Sequence, residues 1–507
     1  MRISKQLGAT SALALILATQ TAFAEVSASD VWNDWRGYLE GMGYKLTATE
    51  SMSGNVLTVA DVKMSMNLAE EAGVVSLEMD SMIFTENGDG TVSIQIPEVM
   101  PIKVMAAPED GAPVSAQIDY EQSGFTMIAS GAPNDTKYDY AADAISIALA
   151  NLNIEGEDIS SGDLKLNLAM TDVTGTTSMK TGDIRTYSQT TSIGTLSYDV
   201  DASDPEGKGR GAFKGTVSNL TASGSGDLPL ILDSSDVSAM FAAGFKFAGN
   251  FEYDSGSSEF SVQDPVDGDF NGSTSSEGGA LAVAMDGSSL TYDVSSRNVA
   301  ASVTPAQIPF ELSAKMDESL FKLTMPIAKS EEEQDFGMAI TLGNFTMDDT
   351  LWNLFDPSGA LPRDPATIAV DLSGKARLLV DIMDPEVAAE MEETGAAPAE
   401  LNSLSLRNLL VSAAGATLTG MGNFTFDNTQ SFNGMPKPTG AVDLKLVGGN
   451  GLVDKLVTMG MLPEEQAMGA RMMMGLFAVP GEGEDTLNSK IEINDQGHVL
   501  ANGQRIQ

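Results

Sequence analysis

The chain contains no cysteine among its 507 residues. This absence excludes disulfide bonds, a thiol nucleophile, thiolate ligands for a metal and a lipid anchor attached to cysteine. A chain of this length can bury most of its surface without such cross-links. We therefore expect the fold to be held together by its core alone.

Basic side chains are scarce, and the chain has one histidine. It carries 28 Lys and Arg residues against 71 Asp and Glu residues, a formal net charge of −43. Such a field repels the phosphates of nucleic acids and anionic lipid head groups, so we expect no nucleic-acid partner. The single imidazole, His498, has no second histidine for a zinc site, and the chain has no G-x-S-x-G motif, so we interpret His498 as a turn or strand residue.

Long apolar runs are also missing. No stretch is long and apolar enough to cross a bilayer as a helix, so we expect no transmembrane helix.

At the N-terminus, Arg2 and Lys5 precede a short apolar run, and Ala22 and Ala24 are the small residues that a signal peptidase recognises. We therefore expect residues 1–24 to be a cleaved signal peptide and the mature protein to be exported.

Alternation of apolar and polar residues dominates the remaining chain. Each alternating run is apolar on one side and carries Ser, Thr, Lys or Asp on the other, which is typical of antiparallel sheets with one wet face. Asn87-Gly-Asp-Gly90 predicts a hairpin turn. The sequence therefore predicts a mainly β protein of elongated antiparallel sheets. The clearest runs are residues 62–68, 92–96, 145–149, 164–168, 321–327, 368–372, 378–382, 442–446 and 491–493.

Helices are predicted at few places. A short N-terminal helix is expected to be capped by Ser29 or Asp30, and short helices are expected at 348–355 and 385–393. Near the end, 451–479 predicts a helix pair, interrupted by Gly460. We expect the N-terminal helix and the helix pair to pack on the sheets. The apolar side chains expected to be buried there are Leu452, Leu456, Met468, Met472 and Leu476.

The chain shows faint internal repetition. Residues 196–200 (LSYDV) are similar to residues 290–294 (LTYDV). This similarity predicts two β-rich halves, residues 25–253 and residues 280–507. Between them, residues 254–279 are rich in Gly, Ser and Asp, and we expect a long loop or a soft domain boundary there.

One short motif is similar to a metal site. Asp267, Asp269 and Asn271 match the opening of a calcium loop, in which oxygen ligands alternate along the chain. The match then fails, because the twelfth position is Gly278 and Glu277 comes one residue too early. We interpret the motif as an acidic loop, and we expect no cofactor.

Motifs at the two ends of the chain resemble a known family. They are DVWNDWRGYLEGMGY at 30–44, GLVDKL at 451–456, MLPEE at 461–465 and ANGQRI at 501–506. The chain resembles the exported alphaproteobacterial family called domain of unknown function 2125. This resemblance implies a location in the bacterial periplasm and no activity or site residues. More distantly, the β-rich fold with helices near the C-terminus is similar to AsmA-like envelope proteins, at the level of fold only.

Three classes of function remain open. The leading hypothesis is a non-enzymatic periplasmic protein that serves envelope maintenance or binds a lipid or other hydrophobic ligand in a groove lined by Met and Leu. The first alternative is an outer-membrane β-barrel, although the chain ends in Gln507 without a terminal aromatic residue. The second is a hydrolase that uses two carboxylates, although aromatic platforms for sugars are scarce. No residue pattern specifies an oligomeric state.

The first prediction concerns processing. The small residues Ala22 and Ala24 favour cleavage after Ala24, so the mature protein should begin at Glu25. Intact-mass measurement of the protein from the periplasmic fraction checks this. Recovery of the full-length chain, or of an N-terminus well downstream of Glu25, would contradict the prediction.

Overall fold

The computed structural model describes the chain from Glu25 to Gln507 with short gaps. The residues outside the description are 1–24, 68–73, 108–111, 160–161, 205–206, 208, 232–236, 309, 385–386, 388–390, 392–396 and 433–434. The expected signal peptide, with Ala22 and Ala24, and most of the helix expected at 385–393 therefore lie outside the described residues.

The described chain forms one antiparallel sheet of 27 strands, which confirms the prediction of a mainly β protein. Its first strands are β1 (Lys45–Ser53), β2 (Val56–Asn67), β3 (Val74–Glu86), β4 (Val92–Gln95), β5 (Val99–Ala107), β6 (Val114–Ser123), β7 (Thr126–Ala132), β8 (Asp135–Ile154) and β9 (Glu157–Ile159). The next are β10 (Leu164–Thr181), β11 (Ile184–Ser203), β12 (Arg210–Pro229), β13 (Lys246–Tyr253), β14 (Ser255–Gln263), β15 (Phe270–Ser276), β16 (Gly279–Met285), β17 (Ser289–Thr304) and β18 (Leu312–Pro326). The last are β19 (Gln334–Met347), β20 (Ala366–Leu378), β21 (Ala399–Ala413), β22 (Ala416–Phe432), β23 (Met435–Val447), β24 (Val479–Pro480), β25 (Thr486–Ile493), β26 (Val499–Ala501) and β27 (Gln504–Arg505).

Most strands pair with the next strand along the chain, so the sheet grows as a meander. In several places two short strands lie end to end beside one long strand, as β13 and β14 do beside β12. Strand β1 pairs with β2 at one end of this ladder, and β27 pairs with β26 at the other. The ladder contains about twenty strand positions, which at 4.8 Å per strand gives a path of roughly 95 Å.

Five helices lie in the described part: α1 (Ala28–Gly41), α2 (Val237–Ala242), α3 (Asp349–Phe355), α4 (Gly449–Thr458) and α5 (Glu464–Phe477). The helices expected at the N-terminus, at 348–355 and within 451–479 are confirmed, and Gly460 separates α4 from α5 in a left-handed conformation (φ 72°). The longest of the five have 14 residues, too few for a helical membrane span.

The expected cap of α1 was wrong. Ser27 is the N-cap, and Ser29 and Asp30 lie inside the helix. The Asp30 N–H donates to the Ser27 hydroxyl at 3.1 Å, and the Ser27 N–H donates to the Asp30 carboxylate at 3.0 Å. This capping box satisfies two backbone donors, which explains why the helix begins earlier than expected.

The main core lies where α1 packs on the first strands. Trp32 is 1% exposed, and its ring centroid lies 6.1 Å from that of Phe84 on β3. Of the 24 hydrophobic residues that are buried in the described part, 13 belong to this cluster. The others in the cluster are Val26, Ala28, Val31, Leu57, Val59, Val62, Met82, Val92, Ile94, Ala129 and Tyr138.

The expected burial of the late helix pair was wrong for α5. Ala467 is the one fully buried side chain of this helix, whereas Met468 and Met472 are 65% and 71% exposed. Helix α5 contacts α4, where Arg471 pairs with Asp454, and its C-terminal end is attached to β25, where the Ser489 hydroxyl donates to the Phe477 carbonyl at 2.6 Å. Because this attachment uses a small residue and the backbone, the methionine stripe is left facing solvent.

Residues 254–279 are not a long loop. They contain β14 and β15, which are hydrogen-bonded to each other and to β12 and β17. Serine and glycine are tolerated there because one face of these strands is exposed to water. The division of the chain into two halves at this segment stays a prediction.

The next prediction compares how much α1 and α5 contribute to the stability of the fold. Trp32→Ala should lower the free energy of unfolding by about 3–5 kcal/mol, because it leaves a cavity in the main core. Met468→Ala should change it by less than about 0.5 kcal/mol, because its side chain faces solvent. Chemical denaturation of both variants checks this. Equal losses would show that α5 is packed as firmly as α1.

Candidate functional site

One face of the sheet is apolar along most of its length. Residues that pair directly in antiparallel strands point to the same face, so the register identifies continuous rows of side chains. One row crosses from β12 to β23 and contains Ala222, Phe251, Leu281, Val294, Phe321, Ile340, Val370, Leu409 and Leu444. A neighbouring row contains Val283, Tyr292, Leu323, Met338, Leu372, Leu406, Val442 and Ile491. We call the face that carries these rows the apolar face.

The opposite face is polar and carries cross-strand ion pairs. Lysine or arginine on one strand lies beside aspartate or glutamate on the next, and most of these side chains are exposed. Each exposed pair contributes little to stability, but together they keep this face hydrated. The pairs include Lys165–Asp199, Arg210–Asp201 (2.6 Å), Lys214–Glu259 (3.0 Å), Lys322–Asp293 (2.6 Å) and Lys375–Asp335 (2.9 Å).

A line of left-handed residues bends the strands near their middles. Asp61, Asp172, Asn219, Asn298 and Asn344 have φ angles between 48° and 54°. Asn and Asp tolerate this conformation better than other residues with a side chain, and an irregular residue inside a strand bends it. Three of these residues donate a side-chain hydrogen bond to a carboxylate on a neighbouring part of the chain. The bonds run from Asn219 Nδ2 to Asp254 (3.0 Å), from Asn298 Nδ2 to Glu277 (2.8 Å) and from Asn344 Nδ2 to Asp317 (3.0 Å).

Burial around the bend shows which face lies inside it. Asp172 and Asn219 are exposed. The residues that follow them, Val173 and Leu220, are 5% and 3% exposed. Side chains at the inner angle of a bend are shielded by the parts of the sheet on both sides. We infer from this burial that the apolar face lies inside the bend, where it forms a groove with two walls.

The rows described above form the first wall of this groove, and a second set of rows forms the other. On the second wall, Leu166 pairs with Val200, Val200 with Phe213 and Phe213 with Phe260. Phe213 is 45% exposed although it lies on the apolar face. Other exposed apolar side chains of this face are Leu166, Phe270, Ile368 and Val411.

Aromatic rings on the apolar face lie across glycines of the neighbouring strand. A Cβ atom at Gly175 would overlap the Tyr140 ring, and one at Gly215 would overlap the Tyr198 ring. The Tyr140 hydroxyl shares a hydrogen bond of 2.6 Å with the Thr191 hydroxyl. The rings are thus held flat along the sheet, which leaves space above them. The same arrangement joins Tyr187 to Gly226, Phe260 to Gly272 and Phe336 to Gly374.

The groove is not filled by a second layer of the described chain. In the described chain the strands contact chiefly the strands beside them in the sheet. Most side chains of the two rows are therefore half-buried, and some other side chains of this face, such as Phe213, are exposed.

Helix α1 closes one end of the groove with a buried ion pair. Arg185 Nη2 lies 2.7 Å from Asp34 Oδ1, and both side chains are nearly inaccessible. Burial raises the pKa of Asp34, and the Arg185 guanidinium partly opposes this increase. Burial also raises the pKa of the neighbouring Tyr138 to about 12, helped by the Asp34 carboxylate. Arg185 is thus engaged by α1 and unavailable to a ligand in the open part of the groove.

The calcium-like motif lies outside the groove. Asp267 and Asp269 are in the turn between β14 and β15, and Asn271 is in β15. Asp264 organises this turn by accepting bonds from the N–H groups of Val266 (2.8 Å) and Asp267 (3.0 Å). No group of three or more His, Asp or Glu residues that could hold a metal ion occurs among the described residues.

Five depressions of the described surface lie on the polar face. One near the bend is lined by Thr216, Ser257, Asn298 and other polar side chains. They are shallow and open to solvent. His498 lies in the turn before β26, where its N–H donates to Asn494 Oδ1 at 3.0 Å.

Sequence reasoning found the alternating strands but missed the bend. Its signal was present as an Asn or Asp followed by Val, Leu or Phe inside a strand, as at Asp172-Val, Asn219-Leu and Asn344-Phe. In each pair the first residue has a positive φ, and in the first two pairs the second residue, Val173 or Leu220, is buried. The pattern is only two residues long. It indicates a bend only when such pairs lie beside one another on neighbouring strands, which the sequence alone does not show.

The bend predicts a graded loss of stability at Asn219. Asn219→Val should lower the free energy of unfolding by about 1–2 kcal/mol, because a β-branched residue is strained at a positive φ. Asn219→Gly should cost less, because glycine keeps the conformation and loses only the bond to Asp254. Urea denaturation checks this order. A valine variant as stable as the glycine variant would contradict the assigned backbone strain.

Comparison with known proteins supports one assignment. Residues 255–503 match the family model of domain of unknown function 2125, described as an uncharacterized protein conserved in bacteria. The motifs at 451–456 and 461–465 lie inside this range, whereas the N-terminal motif at 30–44 lies outside it. Neither a curated protein nor a solved structure matches the chain, so the likeness to AsmA-like proteins stays a prediction. Residues 255–503, just under half of the chain, are thus similar to the family of domain of unknown function 2125.

Proposed function

We propose that the protein binds a lipid, or another elongated hydrophobic ligand, along the apolar face inside the bend. The observation that carries this proposal is the continuous apolar face, which runs across the sheet from β12 to β23 without a covering layer in the described chain. An apolar ligand laid there would remove this surface from water, which is favourable at about 25 cal/mol per Å² of buried apolar area.

The chemistry of the face supports binding rather than catalysis. Its rows contain leucine, methionine, valine, phenylalanine and small residues, and Arg185 is their one charged side chain in the described strands from β10 to β23. Methionine and leucine adapt to ligands of varied shape. The flat rings over Gly175 and Gly215 leave room for a chain-like ligand. We therefore propose a non-enzymatic role.

The proposed setting is the bacterial periplasm. Support comes from the signal-peptide pattern of residues 1–24 and from the resemblance to an exported family. A water-filled compartment between two membranes is a place where lipids need a shielded path or a carrier. In this setting the polar face, with its ion pairs, faces water, and the apolar face holds the ligand.

A pair of substitutions on one strand tests the proposal. Phe213 and Thr216 both lie on β12 and are both exposed, but Phe213 faces the groove and Thr216 faces the other side. The purified mature protein is incubated with phosphatidylcholine vesicles and separated from them, and the lipid phosphorus in the protein fraction is measured. The wild type should retain lipid, and Phe213→Glu should retain at least threefold less, because a buried carboxylate is unfavourable beside acyl chains.

Thr216→Glu serves as the control because it adds the same charge to the same strand. It should retain as much lipid as the wild type. Circular dichroism and a melting curve of each variant establish that the sheet is intact. Absence of lipid from the wild type, or equal losses in the two variants, would contradict binding on the apolar face.

A further inference from the structure

Within the strands from β14 to β25, alternate connections meet at one rim of the sheet. They are the connections β14–β15, β17–β18, β19–β20, β21–β22 and β23–β25, and the strand register places their ends side by side. Because this rim carries α3, α4 and α5, we call it the helical rim. The register pairs that establish it are Asn271–Thr304, Val303–Leu312, Ala314–Met347, Phe345–Ala366, Thr367–Ser412, Thr417–Val447 and Val447–Thr486.

The helices of this rim are neighbours. Helix α3 lies in the β19–β20 connection, and α4 and α5 lie in the β23–β25 connection. The β21–β22 turn lies between them. A Cβ atom at Gly415 in this turn would be 3.0 Å from Pro362 Cγ, in the loop after α3, and 3.8 Å from Lys455 Nζ on α4. The connections that carry the helices are therefore parts of one surface.

The helical rim exposes large apolar side chains. Val266 in the β14–β15 turn is 90% exposed, Leu354 on α3 is 55% exposed, and Met468 and Met472 on α5 are mostly exposed. Further exposed apolar side chains of this rim are Phe310, Phe355, Met461, Met473 and Leu476. On the opposite rim of the same strands, Leu379 is the one large apolar side chain that is exposed in the described connections. An exposed apolar surface concentrated in this way marks a site of interaction.

The apolar face of the groove continues to this rim. Ile368 and Val411 pair directly, lie two residues from the rim ends of β20 and β21, and are exposed. Ser489, to which α5 is attached, pairs with Leu444 of the first apolar row. The exposed side chains of the rim are therefore continuous with the surface on which we propose that the ligand lies.

The spacing of these side chains fits a lipid bilayer. They protrude from separate connections along a path of roughly 40 Å, at 4.8 Å per strand, with acidic residues such as Asp267 between them. A protein partner is held by a compact central cluster of side chains, whereas a bilayer presents apolar chains beneath its polar head groups at every point. The net charge of −43 opposes attraction to anionic lipids. Contact therefore rests on inserted apolar side chains, as in helices that lie at a bilayer surface.

We propose that the helical rim docks on the surface of a lipid bilayer, with side chains of α3, α5 and the β14–β15 turn inserted below the head groups. Docking places the end of the apolar face beside the apolar interior of the bilayer, so a lipid enters or leaves the groove over this rim. The passage of lipid rests on the proposed function, whereas docking rests on the rim itself.

Vesicle flotation tests the docking. The mature protein is mixed with phosphatidylcholine vesicles and centrifuged in a density gradient, and the protein that rises with the vesicles is measured. The lipid that the protein retains after separation from the vesicles is measured in parallel. The wild type should float with the vesicles at about 0.1 M and at about 1 M salt, because apolar contacts are not screened as charges are.

A triple variant on the rim and a matched triple variant away from it assign the contact. The rim variant is Leu354→Gln, Met468→Gln and Met472→Gln. The control is Val99→Gln, Ile231→Gln and Met421→Gln, three exposed apolar residues that lie outside the helical rim. The rim variant should bind vesicles at least about fivefold more weakly than the wild type, because three apolar side chains no longer leave water. The control should bind as the wild type does, and melting curves establish that both variants are folded.

Flotation and lipid retention separate the two proposals. If the wild type stays at the bottom of the gradient, docking is overturned and the rim binds another partner, such as a protein; retained lipid would then still support the proposed function. If the wild type floats but retains no lipid, the proposed function fails and docking stands. Flotation that disappears at about 1 M salt, or equal binding by the rim variant and the control, would also overturn docking.

Discussion

Hydrogen bonding between neighbouring strands is the interaction on which the rest of this structure depends. A single sheet of 27 strands gains little from a central core, since 13 of the 24 buried hydrophobic residues in the described part lie under α1. Each strand is instead held by backbone bonds to two neighbours and by cross-strand side-chain contacts. This architecture leaves a large apolar area without a second layer in the described chain, and that area is the surface on which we propose that a ligand binds.

The polar and apolar faces of the sheet differ in their side chains and in their exposure to water. The polar face carries ion pairs such as Lys322–Asp293, which stay hydrated and oppose aggregation. The apolar face would attract other molecules if it were flat. The line of residues with positive φ, among them Asn219 and Asn298, turns it inward, so that residues such as Leu220 are shielded by the two walls. Bending thus lets the molecule keep an apolar surface accessible to a chain-like ligand while limiting its exposure.

The sequence predicts the strands well because alternation is a local property. The run at residues 321–327 predicts that Phe321, Leu323 and Met325 share a face, and they do. The positions of α1, α3, α4 and α5 were also predicted, but the predicted burial of α5 was wrong, because a stripe of Met468 and Met472 looks the same in the sequence whether it faces a core or water. The bend escaped prediction because it arises from the alignment of single residues on strands far apart in the chain.

The central claim is that the apolar face holds the ligand, and the cysteine-free chain allows a direct test. Leu323 and Thr324 are neighbours on β18 that point to opposite faces, so each can be replaced by a single cysteine and spin-labelled. Addition of phosphatidylethanolamine vesicles should protect the label at Leu323→Cys from a water-soluble paramagnetic reagent and leave the label at Thr324→Cys unchanged. Equal protection of both labels, or of neither, would contradict the account.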